Sequence, residues 1–148
     1  MLSKTRKFLF LFSIVVLLST TLSACSASTS DSVHLFMLPM EQLPMDVQNA
    51  PVAVREAYQF ASINPAVMKD IPCYCGCENV GHKSNYDCYV SNVDDKNQIS
   101  FDNHALGCSI CVDITQDVMR MLEDGKIPQE ARAYVDATYS KYGSSNIP

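Results

Sequence analysis

The chain has 148 residues, 47% of them hydrophobic, with seven cysteines, no tryptophan and a formal net charge of −5. That length fits one domain after a leader, and the acidic balance lacks the clustered Lys and Arg that a phosphate backbone requires. Nucleic acid is therefore not an expected partner, whereas cations would be concentrated near such a surface.

Lys4, Arg6 and Lys7 give a basic start, and Phe8 to Leu18 is an apolar run broken only by Ser13. Small residues then lead to Leu22-Ser23-Ala24-Cys25. A basic start, a short apolar core and a small-residue cleavage site form the secretory pattern, and the run is short for a membrane span. The ending Leu-Ser-Ala-Cys resembles the lipobox of bacterial lipoproteins. That resemblance implies a signal peptide over residues 1–24 and lipidation of Cys25, and so a place on the extracytoplasmic face of the cell membrane. The alternative is an ordinary secretory signal with a stray cysteine. Attachment would come from the acyl groups alone, since an acidic surface gains nothing from anionic lipid.

Residues 25–45 read as a lipidated tether ahead of a domain over residues 46–148. Its first part is small and polar, which favours flexibility. Its second part, His34 to Met45, is apolar but broken by Pro39 and Pro44, so no regular helix is expected. His34, Met37, Met40 and Met45 are possible auxiliary metal ligands, because thioether sulfur is soft and does not form disulfides. The alternative is an apolar strip packed on the domain.

Pro51 to Ile63 carries Val54, Tyr58 and Ala61 at helical spacing, and Asn64-Pro65 ends it. Ala66 to Asp70 allows one more turn. Residues 72–105 are rich in Gly, Asn, Asp and Ser and show no sustained period; Cys88-Tyr89-Val90 is the best, weak, strand candidate. A second helix is expected from Ser109 to Asp124, with Cys111, Ile114, Val118 and Met121 or Leu122 facing inward and Gly125 as its stop. A third starts at Pro128 and runs toward Gly143, burying Ala131, Val135, Thr138 and Tyr142. The fold class is mainly α: a small domain of about three helices with a long irregular cysteine-rich loop, stapled by metal or disulfides.

Six cysteines fall between residues 73 and 111: Cys73, Cys75 and Cys77 in alternation, Cys88 alone, and Cys108 with Cys111 as Cys-x-x-Cys. Core packing does not demand so many sulfurs. A disulfide framework suits an exported chain, but a bridge inside Cys-x-Cys closes a strained loop, so three clustered cysteines need three partners elsewhere. A metal instead needs convergent thiolates, and local pairs supply them at little ordering cost. Gly76 lets the backbone curl between Cys75 and Cys77, and the helix start at Cys108 favours thiolate. His82 and His104 flank the clusters as ligands, as supports to ligands, or as solvated loop histidines. Tyr74, Tyr86 and Tyr89 are expected to cover the sulfurs.

Among metals, Cu(I) takes two or three sulfurs each, so this set suits more than one ion. Zn(II) needs only four thiolates. The Cys73-x-Cys75 and Cys108-x-x-Cys111 spacing resembles bacterioferritin-associated-ferredoxin-like domains, which implies a [2Fe–2S] cluster; those domains are cytoplasmic, and Cys77 and Cys88 would be surplus. A thiol–disulfide enzyme using Cys108 and Cys111 is a further alternative, although no βαβ pattern surrounds the pair. Hydrolase and transferase signatures such as Gly-x-Ser-x-Gly and His-Glu-x-x-His are missing.

Pro72-Cys73-Tyr74-Cys75-Gly76-Cys77, followed by Asp87-Cys88 and the Cys108-x-x-Cys111 helix, resembles the PCYCGC-motif lipoproteins of Gram-positive bacteria. The resemblance implies layout and location, since that family is defined by its motif and not by an activity. The expectation is a lipid-anchored, extracytoplasmic metal-binding protein for Cu(I), acting in storage, buffering or transfer. Cys73, Cys75, Cys77, Cys88, Cys108 and Cys111 are its expected ligands, and a copper-handling membrane protein is its expected partner.

Overall fold

A computed structural model describes residues 34–147. The expected signal peptide, Cys25 and the first part of the tether lie outside them. Proline sets most helix boundaries: α1 (Met45–Gln48) follows Pro44, α2 (Val52–Ile63) follows Pro51, and α3 (Pro65–Met68) begins after Asn64. The two remaining helices are α4 (Ser109–Glu123) and α5 (Pro128–Tyr139). The expected three helices are thus α2, α4 and α5, and α1 and α3 are single turns beside α2. No helix among the described residues is long and apolar enough to cross a membrane.

The longest helix, α4, packs on both α2 and α5. Ile114 and Val118 from α4 are buried with Tyr58, Phe60 and Ala61 from α2 and with Ala131 and Val135 from α5. The inward face of α5 differs from expectation at its end. The helix stops at Tyr139, one turn beyond Val135, so Tyr139 takes the buried position and its hydroxyl donates to Asp117 Oδ2 at 2.8 Å. Thr138 is half-buried, and Tyr142, past the last turn, is exposed.

The segment from His34 to Met45 is not free of the domain. Leu38 and Leu43 are buried, and Leu38 exchanges two hydrogen bonds with Gln59 of α2, through N–H to the Gln59 carbonyl at 2.9 Å and from Gln59 Nε2 at 2.8 Å. The apolar-strip alternative describes this packing.

Residues 72–105 hold more local order than the sequence suggests. Three short 3-10 turns, Cys77–Val80, Tyr86–Cys88 and His104–Leu106, are joined by a hairpin of β1 (Val90–Val93) and antiparallel β2 (Ile99–Phe101). Its register pairs Val90 with Phe101 and Val93 with Ile99, with an irregularity between Val90 and Asn92. Only Val90 of β1 is buried, so no apolar alternation marks the strand.

A buried polar network ties this segment to α4. The Tyr89 hydroxyl donates to the Cys111 carbonyl at 2.9 Å, and Asn85 Nδ2 donates to the same oxygen at 3.3 Å. The Thr115 hydroxyl donates to Asn85 Oδ1 at 2.9 Å and stands 2.8 Å from the Tyr89 hydroxyl. Asn85, Tyr89 and Thr115 are wholly removed from solvent, so each polar atom depends on the others. Below them the Tyr89 ring meets Tyr58 edge-on, with centroids 4.9 Å apart. Thr115→Val keeps the shape of α4 but orphans Asn85 Oδ1. It is expected to lower stability by about 1–3 kcal/mol, read as a fall in the denaturant midpoint without a change in slope.

Candidate metal centre

Three chain segments bring the six cysteines together. Pro72 to Cys77 runs past the start of α4, and Gly76, at φ 82°, turns it in the left-handed region so that Cys75 and Cys77 reach the same side. The Tyr86–Cys88 turn supplies Cys88, and the N-terminus of α4 supplies Cys108 and Cys111. Every one of the six thiols is free of disulfide bonding.

The sulfurs form one continuous group. Cys73 lies 3.3 Å from both Cys75 and Cys111, and Cys111 lies 3.2 Å from Cys108, 3.4 Å from Cys88 and 3.6 Å from Cys75. Cys77 joins through Cys88 at 3.8 Å. These separations are far beyond the ~2.05 Å of a disulfide bond and lie at or below the ~3.8 Å edge of a tetrahedron with ~2.3 Å metal–sulfur bonds. Cys73, Cys77, Cys88 and Cys111 are buried, whereas Cys75 and Cys108 are half-exposed.

Both flanking histidines join the group. His104 Nε2 stands 3.5 Å from Cys75 Sγ, and His82 Nδ1 stands 3.4 Å from Cys88 Sγ. Their rings meet edge to face at 5.0 Å. One carboxylate serves both: Asp102 Oδ1 accepts the His104 backbone N–H at 2.8 Å, and Asp102 Oδ2 faces His82 Nε2 at 3.6 Å. A carboxylate behind the imidazole leaves Nδ1 of His82 for the sulfur side, the arrangement metal-binding histidines use. The nitrogen and sulfur atoms fall into sets within 4.8 Å, including Cys75, His104, Cys108 and Cys111, and Cys77, His82, Cys88 and His104. These sets are compatible with a metal-binding site.

Proton placement follows from the packing. Cys108 stands at the N-terminus of α4 and accepts a hydrogen bond from the Cys111 thiol, which brings its pKa down to about 5. Cys111, as that donor, is held well above the usual thiol range. Burial, followed by the neighbouring Cys73, pushes Cys75 up to about 12. Hydrogen bonds, first from Cys111, hold buried Cys73 well below the usual thiol range as well, so Cys108 is the half-exposed member of two sulfurs whose packing favours the thiolate.

The other sequence candidates lie elsewhere. His34 and Met37 line a shallow groove with Glu56, Gln116, Met119 and Glu123. Met40 is half-buried against the core, and Met45 is exposed. Of the three expected tyrosine covers, Tyr89 belongs to the polar network, and Tyr74 is buried with its hydroxyl donating to Asp136 Oδ1 at 2.6 Å. Tyr86 is buried under Lys69, whose ammonium lies 5.1 Å from the ring centre.

Two contributors, Asp102 and Asn146, are not marked in the sequence. Asn146, in the tail after α5, accepts the Cys73 backbone N–H through Oδ1 at 2.7 Å and returns its own N–H to the Cys73 carbonyl at 3.2 Å. Its Nδ2 reaches the His82 carbonyl at 3.3 Å and Cys77 Sγ at 3.5 Å. Gly143 lets the tail come this close, since a Cβ there would sit 2.8 Å from the Tyr74 carbonyl oxygen. Nothing in the local sequence marks Asn146; only Gly143, read as a helix stop, hinted at the tail's path.

The model of the family described as protein of unknown function with PCYCGC motif matches residues 14–146. The chain belongs to that family. The match spans the whole sulfur group and Asn146 and agrees with the resemblance read from the hexapeptide. No curated protein and no solved structure matches the chain.

Two outcomes test this geometry. Asn146→Ala removes the clamp on Cys73, and hydrogen exchange at that amide should accelerate by about tenfold, as expected for losing about 1–1.5 kcal/mol, with α2 and α5 unchanged. In metal-free reduced protein, Cys108 should alkylate first. Its rate should hold nearly constant from about pH 8 down to about pH 6, where an ordinary thiol near pKa 8.5 slows steeply.

Proposed function

We propose that this chain is a lipid-anchored, extracytoplasmic protein that binds Cu(I) through cysteine thiolates, for storage, buffering or transfer to a copper-handling membrane protein. The observation that carries the reading is the convergence of six unbridged sulfurs at 3.2–3.8 Å around buried Cys111 and Cys88, with two imidazoles at the margin. Soft, thiolate-rich donor sets select Cu(I), Zn(II) or iron–sulfur clusters. A single structural zinc uses four donors and leaves the other sulfurs buried without a role. A [2Fe–2S] cluster also uses four, so Cys77 and Cys88 remain unexplained. Cu(I) employs the full sulfur complement at low coordination number. Residues 1–25 supply the basis for the anchor: a basic, apolar and small-residue sequence ending in Cys25.

A second reading, thiol–disulfide exchange, is favoured by one observation. Cys108 and Cys111 lie 3.2 Å apart at a helix N-terminus, and Cys108 is the low-pKa partner. Disulfide reductase activity lost in Cys108→Ser would support that reading over metal storage.

The full-length chain, purified in detergent without oxygen, should withdraw Cu(I) from a moderate-affinity chelator such as bicinchoninate. The double variant Cys108→Ser/Cys111→Ser should lose most of that capacity. Failure of the wild-type chain to compete would overturn the copper reading. Mass analysis of the mature N-terminus should find acyl groups on Cys25, and Cys25→Ser should free the protein from membranes.

A further inference from the structure

We infer that the centre holds at least two metal ions in adjacent lobes that share the Cys111 thiolate; this rests on the metal-binding reading above. The deciding feature is the environment of one sulfur. A ligand to a single four-coordinate ion has three neighbours on its coordination polyhedron. Cys111 Sγ has four sulfur neighbours, Cys108 at 3.2 Å, Cys73 at 3.3 Å, Cys88 at 3.4 Å and Cys75 at 3.6 Å. It therefore sits where two polyhedra meet.

The neighbours divide in space. Cys75, Cys108 and Cys111 group with His104, forming an outer lobe whose members other than Cys111 are half-exposed. Cys77 and Cys88 group with His82 and His104, forming an inner lobe in which both sulfurs are buried. Cys111 belongs to the outer set, and it also groups with Cys88 of the inner set and with Cys73. Cys73 completes the bridge, because its sulfur groups both with Cys88 and Cys111 and with Cys75 and Cys77.

Charge leads to the same count. One divalent ion would leave the remaining buried sulfurs either protonated and unused or ionised without a counter-charge, which a low-dielectric interior penalises heavily. Two divalent ions, or several Cu(I), neutralise most of six thiolates without importing side-chain cations. The lobes also differ in access. Ions reach the inner lobe past Cys75 and Cys108, so the outer lobe exchanges first and the inner lobe retains.

The full-length chain in detergent, loaded with Cu(I) under anaerobic conditions and passed over a desalting column, should retain two or more ions per chain by elemental analysis and native mass spectrometry. Removal by a strong chelator should be biphasic. Cys75→Ser/Cys108→Ser should abolish the fast phase and keep the slowly released ions. Loading with Cd(II) should give at least two cadmium NMR signals coupled to each other through a shared sulfur. Saturation at one ion per chain, or uncoupled cadmium signals, overturns the shared-sulfur inference while leaving the metal-binding reading standing. Retention of no metal overturns the metal-binding reading itself. The variant changes only half-exposed cysteines, and a preserved far-ultraviolet circular dichroism spectrum shows that it folds.

Discussion

Cys111 is used from both of its ends. Its side chain is the most crowded sulfur of the group, while its carbonyl receives the buried hydrogen bonds from Tyr89 and Asn85. The first turn of α4 is thus fixed from the protein side by a satisfied polar network and from the other side by sulfur chemistry. Because α4 also packs on α2 and α5, the position of one residue links the helical core to the cysteine-bearing segment. A cluster built on a loop alone would be free to open; this one is braced against a helix that cannot shift without exposing Ile114 and Val118.

The two supports differ in kind. The polar network of Asn85, Tyr89 and Thr115 does not depend on redox state or metal, and it holds Cys88 and Cys111 on the same side of the segment. The sulfur group changes with conditions: as thiols it packs, and as thiolates it repels itself. Asp102 belongs to both sides, since its carboxylate faces the His82 ring and accepts the His104 backbone N–H, while its backbone carbonyl accepts the Tyr58 hydroxyl at 2.7 Å. The His82 imidazole and the His104 backbone are therefore placed by the core as well as by the loop.

Much of this was legible in the sequence. Proline and asparagine placed both ends of α2 and the start of α5, and the stripe of Ile114 and Val118 identified the inward face of α4, because burial of a helix face leaves a regular period. The six cysteines were visible by count and spacing, and Gly76 marked the turn between them. The hairpin was not legible, because an exposed two-stranded element with a single buried residue in β1 leaves no alternation to read. Tyr139 was missed in favour of Tyr142, since the end of a helix is set by its last hydrogen bonds and not by the next glycine. Asn146 and the Asp102 contact to His82 were invisible for a different reason: each spans a long sequence separation, between atoms that only the folded chain brings near.

The reach of Asn146 back to Cys73 has a consequence in time. A polypeptide made from its N-terminus presents all six thiols before that asparagine has been joined to it. Until Asn146 has followed Cys111, the hexapeptide lacks its latch. The order of residues along the chain therefore makes closure of the tail over Cys73 the last step in assembling this segment.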